Sequence, residues 1–199
     1  MAKTKRYRLD PSRPVTKEEL YLIITSDSDG AGLTTGDFAH ITGAHRRASD
    51  YSQAEAGDVE DKVGRAILGR LLNAYTMLLN PYKQPTYDEA TALIAQYYPM
   101  IERDDLAIMI GATKQNARRW KREGREPQGM ECVRNLRVLK LIEAAEGKKG
   151  VDYFIATVAR EYELLGKTPE LSESMMAVAT DILNSKRFTK YEDSLFEGS

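Results

Sequence analysis

Apolar residues along this chain recur at spacings of three and four, and no stretch alternates with a period of two, so the pattern predicts an all-α fold. Helices are expected at about 16–25, 34–41, 45–53, 59–79, 86–97, 103–110, 114–123, 130–146, 151–165 and 169–186. Asn80-Pro81, Lys83-Gln84-Pro85 and the stretch from Gly124 to Gly129 punctuate them as turns or loops. The cleanest stripe is Val151, Phe154, Ile155, Val158, Ala159, Tyr162 and Leu165. Gly166-Lys167-Thr168-Pro169 closes that helix and starts the next, because proline suits a first helical position. Leu171, Met175, Met176, Val178, Ala179, Ile182 and Leu183 line the second helix, so residues 150–186 predict a helical hairpin. Its stripes either pack on the preceding helices or pair with a second copy. Residues 187–199 read as a frayed tail.

Residues 104–122 carry the most informative pattern. Leu106, Ala107 and Ile110 place apolar atoms on one face of a short helix, and Ala107 is small where two helices must cross closely. Gly111 interrupts that helix where a sharp corner needs a residue tolerant of positive φ. Beyond the corner, Ala117 and Trp120 give a second helix one apolar face to turn back onto the first. Lys114, Gln115, Asn116, Arg118, Arg119, Lys121 and Arg122 fill its other faces. Lys, Gln, Asn and Arg along one helix suit the donor and acceptor edges of a major groove.

This segment resembles the helix-turn-helix of lambda-repressor/Cro-like (XRE-type) regulators. That family's pattern is an apolar residue and Ala, then an apolar residue and Gly, then a polar helix with two inward apolar positions. Here these fall on Leu106-Ala107, Ile110-Gly111, Ala117 and Trp120, and Arg122-Glu123-Gly124-Arg125-Glu126-Pro127 is similar to the turn that follows. The resemblance covers about sixty residues at most, from Pro85 to Glu146.

The motif recurs. Asp37-Phe38-Ala39-His40-Ile41-Thr42-Gly43-Ala44 parallels Asp105 to Ala112 at an offset of 68. Thr16-Lys17-Glu18-Glu19 parallels Thr86-Tyr87-Asp88-Glu89 at 70, both with the Thr-x-x-Glu form of a capping box. Val63 to Leu72 parallels Val133 to Ile142, again at 70. Self-similarity across three elements points to an internal duplication. The first copy is degenerate: Thr42 stands where the second has Ile110, and its candidate reading helix, from His45 to Tyr51, is short and carries Asp50. The expected organisation is a basic arm at 1–14, a degenerate helix-turn-helix domain at 15–80, a second at 85–147, then the hairpin and the tail.

Charge refines this picture. The formal net charge is −1, yet residues 1–17 sum to +5, 18–112 to −8, 113–149 to +6 and 150–199 to −4. Phosphate contact depends on the local field, so a basic patch on an acidic body can bind duplex. Cys132, the single cysteine, excludes an internal disulfide or a CxxC zinc site, and its apolar neighbours suit a packing thiol. No apolar run approaches a bilayer's thickness and the N-terminus lacks a signal-peptide core, which fits a cytoplasmic protein. His40 and His45, five apart, do not share a helix face, and there is no P-loop or GxGxxG, so no enzyme is expected. Asp27-Ser28-Asp29-Gly30 lacks the remaining ligands of a calcium loop; no metal, cofactor or small-molecule effector is evident.

The resemblance implies a sequence-specific duplex-DNA-binding protein, a transcriptional regulator of a bacterium, phage or plasmid. It places the helix from Thr113 to Arg122 in the major groove. Lys114, Gln115, Asn116 and Arg119 are the candidates for base edges, and Arg118, Lys121, Arg122 and Arg125 for phosphates. His45, Arg46 and Arg47 would act similarly in the first copy. Regulators of this kind usually pair, which implies a homodimer. Two other readings stay open: an accessory protein of replication, partition or conjugative transfer, and an all-helical protein–protein adaptor.

Overall fold

The computed structural model describes residues 7–44, 48–75, 85–186 and 188. The arm at 3–6, the candidates His45, Arg46 and Arg47, residues 76–79 of the long expected helix, the turns through 84 and all of 187–199 except Phe188 lie outside that set. Ten helices form among the described residues: α1 Lys17–Thr25, α2 Thr35–Thr42, α3 Ala48–Ser52, α4 Val63–Ala74, α5 Tyr87–Ala95, α6 Arg103–Met109, α7 Lys114–Glu123, α8 Met130–Glu146, α9 Lys148–Leu164 and α10 Glu173–Leu183. The fold is all-α, as the periodicity predicts, with one isolated bridge between Thr16 and Val59.

Local chemistry starts these helices. At α1, α2 and α5 a threonine hydroxyl accepts the third amide while a carboxylate accepts the cap's own N–H; the pairs are Thr16 with Glu19, Thr34 with Asp37, and Thr86 with Glu89. Each box satisfies two donors that a helix start leaves free.

Helix α4 occupies the centre. Everything from Gly64 to Ala74 is buried, because α1, α8 and α9 all pack on it. Helix α8 meets α2, α4, α5 and α9. The stripe predicted on α9 is spent inside the chain, with Val151, Phe154, Ile155 and Val158 inaccessible against α4 and α8. Helix α10 packs on α9 and buries Met175 and Ala179. It opens at Glu173, not Pro169, because Ser172 is its cap and is fixed from outside. Ser172 donates its N–H (2.6 Å) and hydroxyl (2.9 Å) to Asp105, which also accepts the Glu102 N–H (2.9 Å). Three donors thus satisfy a carboxylate that is only 1% exposed. The tail also departs from expectation, since Phe188 is buried against Tyr153 with ring centroids 5.8 Å apart.

Two buried arginines hold the centre. Arg70 of α4 pairs with Glu161 of α9 and donates to the carbonyls of Asp10 (3.3 Å) and Arg13 (2.9 Å). Burial pushes the Glu161 carboxyl up, against the pull of Arg70. Arg65 donates to the Thr42 carbonyl (2.9 Å), the Gly43 carbonyl (3.2 Å) and the Tyr51 hydroxyl, and lies 3.6 Å from Glu60. Burial pushes the Glu60 carboxyl up to about 7.

Candidate nucleic-acid interface

The expected corner forms at Gly111. Its φ is 85°, and the Ala112 N–H reaches back to the Ala107 carbonyl at 2.8 Å, satisfying a carbonyl at the end of α6. Thr113 then caps α7, its hydroxyl accepting the Asn116 N–H at 3.2 Å. Gly124 closes α7 at φ 61°, with the Arg125 N–H donating to the Trp120 carbonyl at 3.0 Å. Both ends of α7 are therefore fixed by backbone geometry that its own sequence supplies.

The underside of α7 is anchored by Ala117 and by Trp120, which is 5% exposed. The Trp120 ring meets Tyr87 edge to face, centroids 5.5 Å apart. Tyr87 is clamped in turn: its hydroxyl donates to the Arg103 carbonyl, the Arg103 guanidinium lies 4.9 Å over its ring, and its N–H donates to Glu126 at 2.7 Å. That last bond ties the loop after α7 back to α5. Apolar burial and a hydrogen-bonded aromatic pair thus hold the helix to its neighbours.

The opposite faces are open. Thr113, Gln115, Arg118, Arg119, Lys121, Arg122 and Arg125 are exposed, and Lys114 and Asn116 are half-buried. Arg118 pairs with Asp104 (3.2 Å), and Arg122 and Arg125 both pair with Glu123 (3.4 Å each). These three arginine side chains are 73%, 76% and 63% exposed, so such pairs are worth at most about 1 kcal/mol and exchange readily for a phosphate. Among the described residues, Lys114, Arg119 and Lys121 form no ion pair. The first turn of α7 holds Lys114, where α5 has Asp88 and Glu89 and α6 has Asp104 and Asp105.

The earlier corner, Gly43, also turns at positive φ, 66°. His45, Arg46 and Arg47 lie outside the described residues. The five residues of α3 bury Tyr51 against Phe38 at 5.0 Å and expose Ser49, Asp50 and Ser52, with no cation among them.

Two supporting residues escape motif reading. Arg65 donates to the Thr42 carbonyl, and the Asn135 side-chain amide donates to the Ile110 carbonyl at 3.1 Å. Each therefore satisfies the carbonyl just before a glycine corner. The only available signal is register: the offset of 70 aligns Arg65 with Asn135, although their types differ.

Cys132 is buried and burial pushes its thiol up to about 12, so it stays a neutral packing group. Among the described residues no cluster of His, Cys, Asp and Glu is placed to hold a metal ion, and no helix is long and apolar enough to cross a membrane. No family model, curated protein or solved structure matches the chain.

Proposed function

We propose that this protein binds duplex DNA sequence-specifically and acts as a transcriptional regulator of a bacterium, phage or plasmid, with α7 entering the major groove. The observation that carries the reading is the division of α7. Ala117 and Trp120 alone are buried, while its remaining residues, five of them cationic, face outward or lie half-buried. In this reading Lys114, Gln115, Asn116 and Arg119 meet base edges, where Gln or Asn pairs with adenine and Arg or Lys with guanine. Arg118, Lys121, Arg122 and Arg125 meet phosphates and set the register.

The test is selection of binding sites from a random duplex pool with the full chain, followed by titration across salt. The selected sequence should bind far more tightly than a scrambled one. Affinity should fall with salt by about 0.9 log units per log unit for each phosphate contact. An affinity that is flat with salt, or indifferent to sequence, would reject the proposal.

A further inference from the structure

The two glycine corners also join the halves of the molecule. Gly43 rests on the first turn of α8: a Cβ added there would lie 2.9 Å from Met130 Cβ and 3.2 Å from Glu131 Oε2. Gly111 rests on the first turn of α4, where an added Cβ would stand 2.2 Å from Gly64 Cα. Those first turns meet each other too, since a Cβ at Gly64 would come 3.1 Å from Glu131 Cγ. Asn135 of α8 binds the joint, donating to the carbonyls of both Gly64 and Ile110 at 3.1 Å.

Take α1–α4 as one unit and α5–α8 as the other. The corner of each leans on the last helix of its counterpart, and the two last helices, α4 and α8, pack together. The contacts are reciprocal. A second unit placed by translation would present one face and receive another, so contacts would run one way. Only a rotation near 180° lets both corners find the other unit's last helix. The register agrees to about one helical turn, because at the offset of 70 Met130 answers to Glu60 and Gly64 to Arg134.

We infer that the two units form a pseudo-two-fold pair within one chain, so that a single copy recognises two half-sites in inverted orientation, a dominant one under α7 and a weaker one under α3. The inference rests on the DNA-binding function proposed above and specifies its ligand. The asymmetry rests on the described residues, among which α7 presents five cations and the five residues of α3 expose Asp50 and no cation. In this reading one copy supplies both reading heads. Of the two fates open to the α9 stripe, it takes burial within the chain, and among the described residues only Val59 and Met100 are large exposed hydrophobics.

The experiment uses the full chain on the duplex selected from the random pool. Sedimentation should give one chain per duplex, and hydroxyl-radical footprinting should protect two segments whose selected sequences are inverted relative to each other. Scrambling the weaker segment should lower affinity about tenfold or more. Two chains per duplex, two segments in direct orientation, or a weaker segment that can be scrambled without loss would each overturn the inference while leaving DNA binding intact. Failure to bind any duplex at low salt would remove the inference together with the function it rests on.

Discussion

Alanine at Gly111 and alanine at Gly124 should separate two costs that glycine avoids at both places. Both residues hold left-handed backbone, with φ of 85° and 61°. A side chain in that region costs about 1–2 kcal/mol from its own backbone clash. Around Gly124 an added Cβ finds nothing within 4 Å, so Gly124→Ala should lose that amount and no more. At Gly111 the Cβ would stand 2.2 Å from Gly64 Cα and 2.8 Å from Gly64 N. Backbone cannot swing aside as a side-chain end can, so α4 must retreat from the corner as a unit. Asn135 bridges Gly64 and Ile110 across this joint and then loses one of its two acceptors. A buried polar group left unpaired costs about 1–3 kcal/mol. Gly111→Ala should therefore cost about 2–5 kcal/mol, or about 10 °C in Tm for a chain of this size. Urea denaturation of both variants, followed by helical circular dichroism and Trp120 fluorescence, measures the difference. Equal losses of about 1–2 kcal/mol would refute the close seat of this corner on α4 and the reciprocal packing inferred from it.

The proposed division of labour on α7 predicts that Arg119→Ala costs about 1–3 kcal/mol on the selected site and relaxes specificity there. Arg122→Ala should weaken selected and random duplexes alike; equal losses on both duplexes for both variants would count against the assignment. Glu60 sets a pH dependence. Its carboxyl stands at about 7 in the fold against 4.5 ordinarily, so the folded state binds the proton more tightly. Stability from this group is full below about pH 4.5 and declines as pH rises through 7, by about 3 kcal/mol in all. Glu60→Gln should be flat in comparison, and a difference between the two proteins that stays constant from pH 5 to pH 8 would exclude Glu60 as the source. Asp105→Asn leaves one oxygen for three donors and should cost about 2–3 kcal/mol. Hydrogen exchange should then rise first at the start of α10, and a uniform rise across the chain would show that Asp105 does not dock it.

The helices were legible because their signals are local. Thr16 with Glu19 and Thr86 with Glu89 announce two starts, while Gly111 and Gly124 announce two ends, and α7 was legible because Ala117 and Trp120 are alone among polar residues. What escaped depends on how many sides of a helix are covered. Periodicity marks Arg65 and Arg70 as the polar side of α4, and polar normally means solvent. With α1, α8 and α9 packed around α4 that side is interior, so both arginines are buried and draw in Glu60 and Glu161 as partners. The hairpin was ambiguous for the same reason. An apolar stripe states that something must cover it, and only the fold shows that α4 and α8 do. Ser172 began α10 because Asp105, sixty-seven residues earlier, holds it, a tie no local rule contains.

The two glycine corners share one physical requirement, and their surroundings meet it differently. A helix that ends in a buried corner leaves a carbonyl that must find a donor. Arg65 does this for Thr42 and Asn135 for Ile110, two unlike residues with one shared ability. Thr42 itself is tolerated where the other unit has Ile110, because its hydroxyl donates to the Phe38 carbonyl at 2.8 Å and buries no unmet polar group. Outward positions carry no such requirement. Asp37 caps its helix in solvent, whereas the corresponding Asp105 caps its own helix and also fixes the start of α10. Helix α7 is ten residues long, held by the Tyr87–Trp120 pair and followed by a loop tied back to α5, while α3 is five residues long and is held through Tyr51, which packs on Phe38 and accepts from Arg65. A braced helix loses less freedom when it docks, so more of its contact energy survives as affinity. Packing and charge therefore favour the same helix, and α7 is where the stronger half-site should lie.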